Sequence, residues 1–409
     1  MDSPHSADSI GPEQMRPAAA ASRRAGIRDR SRGERARRSF VALVFAIYFL
    51  AIFEGALRKW VFPGAAQYLF FVRDPLLILA YVQATRHHLW PRLDSSLLIA
   101  STVILTGTLV GIIQLTLVDF EGNHLLLAIY GWRNYYLYVP LAFLTGEQFR
   151  RADVKRLLKW TLILSVPTAI LVGLQFAAPI DAAINVGIAA DKAEQFHGLG
   201  LNGEHTRPQG LFTSGVGQGL FVASCVAAWL SFAVRPARTR DMGILFALIS
   251  GAGILSCLAL SGSRGAVIQC SIIGAACITL GLLGRSTRLR WNAAVVPILV
   301  AVLAVALFPV AFPDSFEAFQ ERWQTAGTVE DQEFVGGVFG RAFYSFVDFT
   351  RVLDDAPLLG YGLGFGGNGA GSGRSGLHHR TGRGGGLDER HDSGSGQRHP
   401  RQHQFRRGR

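Results

Sequence analysis

Seven basic residues stand apart from the arginine-rich loops of the apolar part of this chain, on or near the opposite side, most of them at the edge of an apolar stretch or inside one: Arg58, Lys59, Arg73, Arg133, Lys192, Arg207 and Arg264. A guanidinium is planar and always charged, and its paired N–H donors match the oxygens of a phosphate, which a lysine ammonium cannot do bidentately. Arg207 precedes Pro208 and Gly210, and Arg264 lies in Ser261-Gly262-Ser263-Arg264-Gly265. Glycine neighbours let a backbone come close to a ligand. Arg207 and Arg264 therefore read as contacts for a phosphorylated group rather than as side chains that merely snorkel to lipid headgroups.

The elements that must hold these residues are apolar. The chain has 409 residues, of which 49% are hydrophobic and only 17% charged, with a mean hydropathy of +0.26. Soluble domains rarely combine these values. A membrane span needs about 20 apolar residues to cross a ~30 Å hydrocarbon core. Nine stretches meet that need: 40–57, 67–84, 96–118, 124–146, 159–178, 209–233, 243–262, 265–284 and 292–312. The expected fold is an all-α, polytopic integral membrane protein with about nine transmembrane helices.

Loop charge orients the spans. Arg86 and Arg92, then Arg150, Arg151, Lys155 and Arg156, then Arg235, Arg238 and Arg240, then Arg285, Arg288 and Arg290 fall on one side, together with the N-terminal arm. The opposite loops are poor in positive charge. This asymmetry predicts a cytoplasmic N-terminus and places 58–66, 179–208 and the chain after 313 outside the cytoplasm. The net charge of +12 then belongs to membrane topology, not to nucleic-acid binding.

The resulting organisation has four parts. Residues 1–39 form a basic, disordered cytoplasmic arm with nine arginines among the first 38 residues, followed by an uncleaved first span. Such an arm suits anionic lipid headgroups. Residues 40–312 form the helical core, with an outer loop at 179–208. Residues 313–368 form a larger outer loop, which opens on an Asp314-x-x-Glu317 capping pattern with Phe316, Phe319 and Trp323 at helical spacing, as in an interfacial helix. Residues 369–409 are rich in Arg, Gly, Ser and His and contain no apolar span.

Arg133 falls within the fourth span, where a charge costs about 2.5–3.5 kcal/mol on insertion scales and needs a partner. Asp74 and Glu54 lie at reachable depths, so an intramembrane ion pair of Arg133 with one of them is expected. The four cysteines, Cys225, Cys257, Cys270 and Cys277, all fall in apolar spans and form no CxxC pair. They read as small buried hydrophobes, with no disulfide and no metal site. The Gly215-x-Gly217-x-Gly219 set follows no strand and reads as a close helix contact rather than a phosphate loop.

In order along the chain, Phe53-Glu54-Gly55-Ala56-Leu57-Arg58-Lys59-Trp60, Arg73-Asp74-Pro75, Tyr130-Gly131-Trp132-Arg133, Arg207-Pro208-Gln209-Gly210-Leu211-Phe212, Leu260-Ser261-Gly262-Ser263-Arg264-Gly265 and Gly360-Tyr361-Gly362-Leu363-Gly364 resemble the O-antigen ligase and O-antigen polymerase superfamily of bacterial envelope glycosyltransferases. The resemblance runs from about residue 40 to about residue 368. It implies transfer of an undecaprenyl-pyrophosphate-linked glycan to a lipid or glycan hydroxyl, outside the cytoplasm of a bacterial inner membrane, with no cofactor or metal. It further implies that Arg207 and Arg264, with Arg341 of Gly340-Arg341-Ala342 as a third, contact the diphosphate. The partners would be the polyprenyl-diphosphate-linked donor, the acceptor and membrane lipids.

The resemblance stops near Gly369. The family continues into a loop with a catalytic histidine and then into further spans. Here the chain carries nine arginines between Arg374 and Arg409, in a segment that reads as a solvated envelope-facing tail or a frameshifted end. His378 and His379 lack the family context, and His205 reads as an ordinary loop histidine, so no general base is assigned. Two alternatives stay open: a flippase or transporter for polyprenol-linked glycans, and an inactive truncated member of the family.

Overall fold

The computed structural model describes residues 12–117, 124–187, 206–235, 242–283, 287–317, 319–320 and 362–363. Among them the chain is all-helical, without a strand, and six helices are long and apolar enough to cross a membrane. These features are those of a membrane-spanning protein. Large apolar side chains that water would not tolerate in such numbers stand exposed along the helices, among them Leu105, Ile272, Leu299 and Val305.

The chain divides into two compact units, residues 1–103 with 136–356 and residues 104–135 with 357–409. The first begins with α1 (Pro12–Ala56), which runs on into a π-helical turn, Leu57–Val61. The arm expected to be disordered is therefore helical from Pro12 onward. Its composition explains why: Ala, Arg, Glu and Gln are strong helix formers. Glu34 also pairs with Arg37 and Arg38, three and four residues on, at 3.2 and 3.1 Å.

The expected second span is not one helix. It breaks into α2 (Ala66–Leu69) and α3 (Asp74–Arg86), because Pro75 supplies no N–H and fits only the first turn of a helix. α4 (Ser95–Leu117) spans the expected third stretch and crosses from the first unit into the second. The fourth stretch is also divided: α5 (His124–Trp132), a π-helical segment Arg133–Leu137, and α6 (Val139–Gln148) with Pro140 in its first turn.

The remaining expected spans form α7 (Arg151–Ala177), α8 (Gly215–Ala233), α9 (Ile244–Leu260), α10 (Arg264–Leu282) and α11 (Thr287–Ala311). A helical segment begins again at Pro313, so Asp314 is its second residue rather than the cap that the sequence pattern implies. Its Ser315 hydroxyl donates to Ala259 O at 2.8 Å, and Phe316 and Phe319 pack edge-on against Phe308.

Cross-helix contacts set the directions inside the first unit. α1 and α7 run parallel, since Arg37 meets Asp153 and Tyr48 meets Thr161. α3 runs against α1, joined by Gln83 to Ala36 at one end and Arg73 to Glu54 at the other. α8 and α10 are parallel, with Gly219 of α8 against Ala266 and Gln269 of α10. Leu162, Phe176, Phe221, Phe232 and Cys257 share the larger core, and Phe40, Val44, Ala80, Ala84 and Leu144 a smaller one. All four cysteines are free thiols.

These directions gather the unit's polar features at two ends. At one, Arg37 holds Asp153 at 2.7 Å and Gln148 O at 3.0 Å, while Arg150 holds Glu34 at 2.7 Å. At the other lie the end of α1, the start of α3, the end of α7 and the starts of α8 and α10. In the second unit, Trp132 Nε1 donates to Thr108 Oγ1 at 2.8 Å, and Gly111 faces Leu363.

Candidate functional site

Arg207 and Arg264 belong to that second end of the bundle, and the loop geometry brings their segments together. Ser261-Gly262-Ser263 makes a tight turn between α9 and α10. Gly262 has φ of +55°, where a side chain would be strained, and Ser263 N–H donates to Ser261 Oγ at 3.2 Å. Ser263 caps α10 by accepting from Ala266 N–H at 3.3 Å, which leaves Arg264 as the first residue of the helix. Arg207 Nε donates to Ser261 O at 3.3 Å, so its guanidinium is bound to the turn that presents Arg264.

The same guanidinium lies against the first residue of α8. A Cβ added to Gly215 would meet Arg207 Cζ and Nε at 3.4 Å each. The glycine that reads from sequence as a helix contact is thus a contact with the arginine. Helix N-termini carry a partial positive charge and favour anions. Here one guanidinium packs on the N-terminus of α8 and another begins α10. The arrangement concentrates positive charge and gains when an anion sits among these groups.

The loop that carries Arg207 is fastened at several points. Gly210 adopts φ of +58° and donates its N–H to Gln175 Oε1 at 2.8 Å. Buried Lys59 Nζ donates to Gly210 O and Phe212 O, each at 2.8 Å, and lies 4.6 Å from the centre of the Trp60 ring. Asn185 Nδ2 donates to Gln175 O at 3.1 Å, Pro179 O at 2.8 Å and Thr206 Oγ1 at 3.2 Å, tying the residue before Arg207 to the end of α7. Gly55 sits so close to this loop that an added Cβ would strike Leu211 O, and Phe212 C and Cα at 2.8 Å.

No family model, no curated protein and no solved structure matches the chain.

Beside the loop is a second charged group. Glu54, almost fully buried, faces Arg58 at 3.2 Å and Arg73 at 2.9 Å. Arg58 Nε also donates to Ala66 O at 2.8 Å. Asp74 accepts from the Tyr138 hydroxyl at 2.9 Å, and the Arg73 guanidinium lies 5.7 Å from the centre of the Tyr138 ring. Arg133, the residue expected to pair with Glu54 or Asp74, is part of the π-helical segment Arg133–Leu137. There it is buried, and its Nη1 donates to Asn134 Oδ1 at 3.1 Å. Arg341, His205, His378, His379, most of the glycine run Gly360–Gly367 and the segment 369–409 lie outside the described residues.

Sequence reasoning singled out the arginines but missed the groups that hold them. Lys59 reads from sequence as a span-edge charge beside Arg58, and neither Gln175 nor Asn185 is singled out there. The available signal is a lysine and a glutamine at the ends of apolar helices, where each needs a partner. Among the described residues, no group of three His, Cys, Asp or Glu side chains is arranged to hold a metal ion.

Proposed function

We propose that the chain is a bacterial envelope glycosyltransferase of the O-antigen ligase or polymerase type, which takes an undecaprenyl-diphosphate-linked glycan and transfers it to a lipid or glycan hydroxyl. In this reading the core has nine membrane crossings, the divided second and fourth among them. The N-terminus is cytoplasmic, and the end of the bundle with Arg207 and Arg264 faces outward. One observation carries the reading: Arg207 is bound to the turn that presents Arg264, with both guanidinium-bearing segments at the N-terminal ends of the parallel helices α8 and α10.

The chemistry follows from charge. When the glycan leaves, negative charge builds on the diphosphate. Preorganised cations at the membrane surface stabilise that charge without rearrangement. Arg207 and Arg264 hold the leaving diphosphate; Arg341, which the resemblance offers as a third contact, lies outside the described residues.

A second reading, a flippase for the same lipid-linked glycan, draws on the divided helices at Arg73-Asp74-Pro75 and Arg133–Leu137, since transporters use broken helices at their binding sites. Purified protein in vesicles with labelled lipid-linked glycan and acceptor separates the two. Transfer of glycan supports the enzyme, and movement of donor across the bilayer without transfer supports the flippase. Arg207→Ala and Arg264→Lys abolish donor binding in either case, and wild-type binding by both variants removes the diphosphate assignment.

A further inference from the structure

Lys59 stands out among the charges at this end of the bundle. Its side chain is buried, its Nζ is held by two backbone carbonyl oxygens, and among the described residues no carboxylate pairs with it. A buried ammonium without a counter-ion is costly, and it is expensive again inside a membrane. A neutral donor could satisfy the same two carbonyls without that cost. The Trp60 ring, 4.6 Å from the ammonium, offsets part of that cost, and the remaining charge needs a reason that backbone hydrogen bonding does not supply.

The carbonyls it holds supply the reason. Gly210 and Phe212 close the loop that begins with Arg207, and Arg207 leans on the N-terminus of α8 and on Ser261 O. We infer that Lys59 is a positioning residue for the anion site: its ammonium fixes the Arg207 loop, and its charge, which no carboxylate among the described residues pairs, adds to those of Arg207 and Arg264 in drawing a polyprenyl diphosphate. Lys59 lies within the π-helical turn Leu57–Val61, and Gly55 one turn earlier lets α1 and the loop approach closely enough for the contact. The site is thus built from three segments distant in sequence, and its charge exceeds what the two arginines alone would give.

This inference rests on the diphosphate reading, and the test separates the two. Full-length wild-type protein in nanodiscs is titrated with undecaprenyl diphosphate, with undecaprenol as the uncharged control. Lys59→Gln retains donors for the two carbonyls and removes the charge. Its expected unfolding temperature is close to the wild type, while its affinity for undecaprenyl diphosphate falls about tenfold or more and loses part of its dependence on salt. Equal affinity in Lys59→Gln overturns the inference while leaving the diphosphate reading intact. Failure of the wild-type protein to bind undecaprenyl diphosphate overturns the diphosphate reading itself.

Should Lys59→Gln not fold, the wild-type protein still gives an answer. It has only four lysines, Lys59, Lys155, Lys159 and Lys192. In ¹³Cε-lysine-labelled protein the Lys59 signal is assigned by its absence in Lys59→Arg. It shifts on addition of undecaprenyl diphosphate but not undecaprenol if Lys59 belongs to the anion site. An unchanged signal at saturating undecaprenyl diphosphate overturns the inference.

Discussion

Gly55→Ala tests the assembly of the site with the smallest available change. The added methyl carbon would fall on Leu211 O and within 2.8 Å of Phe212 C and Cα, all backbone atoms, which no side-chain rotation can relieve. Either α1 or the loop must move. Overpacking of this kind costs about 1–3 kcal/mol. The two Lys59 hydrogen bonds to this loop, at 2.8 Å each, are strained or lost with it. Each bond to a charged group is worth roughly 1.5–3 kcal/mol. If one of them breaks, the expected destabilisation is about 2.5–6 kcal/mol. Because the same loop carries Arg207, donor affinity falls together with stability. The assay is thermal unfolding of detergent-purified protein, paired with binding of undecaprenyl diphosphate in nanodiscs. An alanine variant with both the unfolding temperature and the affinity of the wild type would refute the close approach of α1 to this loop, and with it the argument that Lys59 reaches Gly210.

Three further outcomes follow from other contacts. Glu54→Gln leaves Arg58 and Arg73 without the buried carboxylate that faces both, and is expected to cost about 3–5 kcal/mol, read as loss of monodisperse folded protein in size-exclusion chromatography; an undiminished folded yield and unfolding temperature argue against the pairing. Asp153→Ala removes both the Arg37 ion pair and a bond to the Arg150 N–H at the start of α7, and should cost about 1–3 kcal/mol while leaving donor affinity unchanged, since it lies at the opposite end of the bundle; a loss of affinity would contradict that separation. In the topological reading, single cysteines introduced at Arg92 and Arg151 on a background lacking the native cysteines are labelled by an impermeant maleimide only in inverted vesicles, and one at Phe62 only in right-side-out vesicles; labelling of all three from one side removes the proposed crossing pattern.

Hydropathy made the helices legible because the requirement for about 20 apolar residues is a property of single segments, and α4, α7, α10 and α11 fall close to where it puts them. Two stretches that satisfied the requirement are nevertheless divided, for a reason hydropathy does not weigh. Pro75 and Pro140 each lack an N–H and so mark a first turn. The basic arm is drawn into α1 from Pro12, where alanine and arginine favour helix whether or not an apolar face is present.

The site divides along the same line between local and non-local information. Arg207 and Arg264 could be picked out because their neighbours, Pro208 with Gly210 and Ser261 with Gly262, are adjacent in the chain and describe turns. What fastens them could not. Lys59 meets Gly210 across 151 positions, and Arg207 meets Ser261 across 54. Periodicity says nothing about partners that far apart. It does say that a lysine and a glutamine at the ends of apolar helices must find partners, since an unmet polar group in hydrocarbon costs several kcal/mol. Lys59 and Gln175 meet that demand on the two faces of one residue, Gly210, whose carbonyl and N–H they take respectively. A loop held in this way gives up its freedom before any ligand arrives, which is what the proposed diphosphate site requires of the arginine it carries.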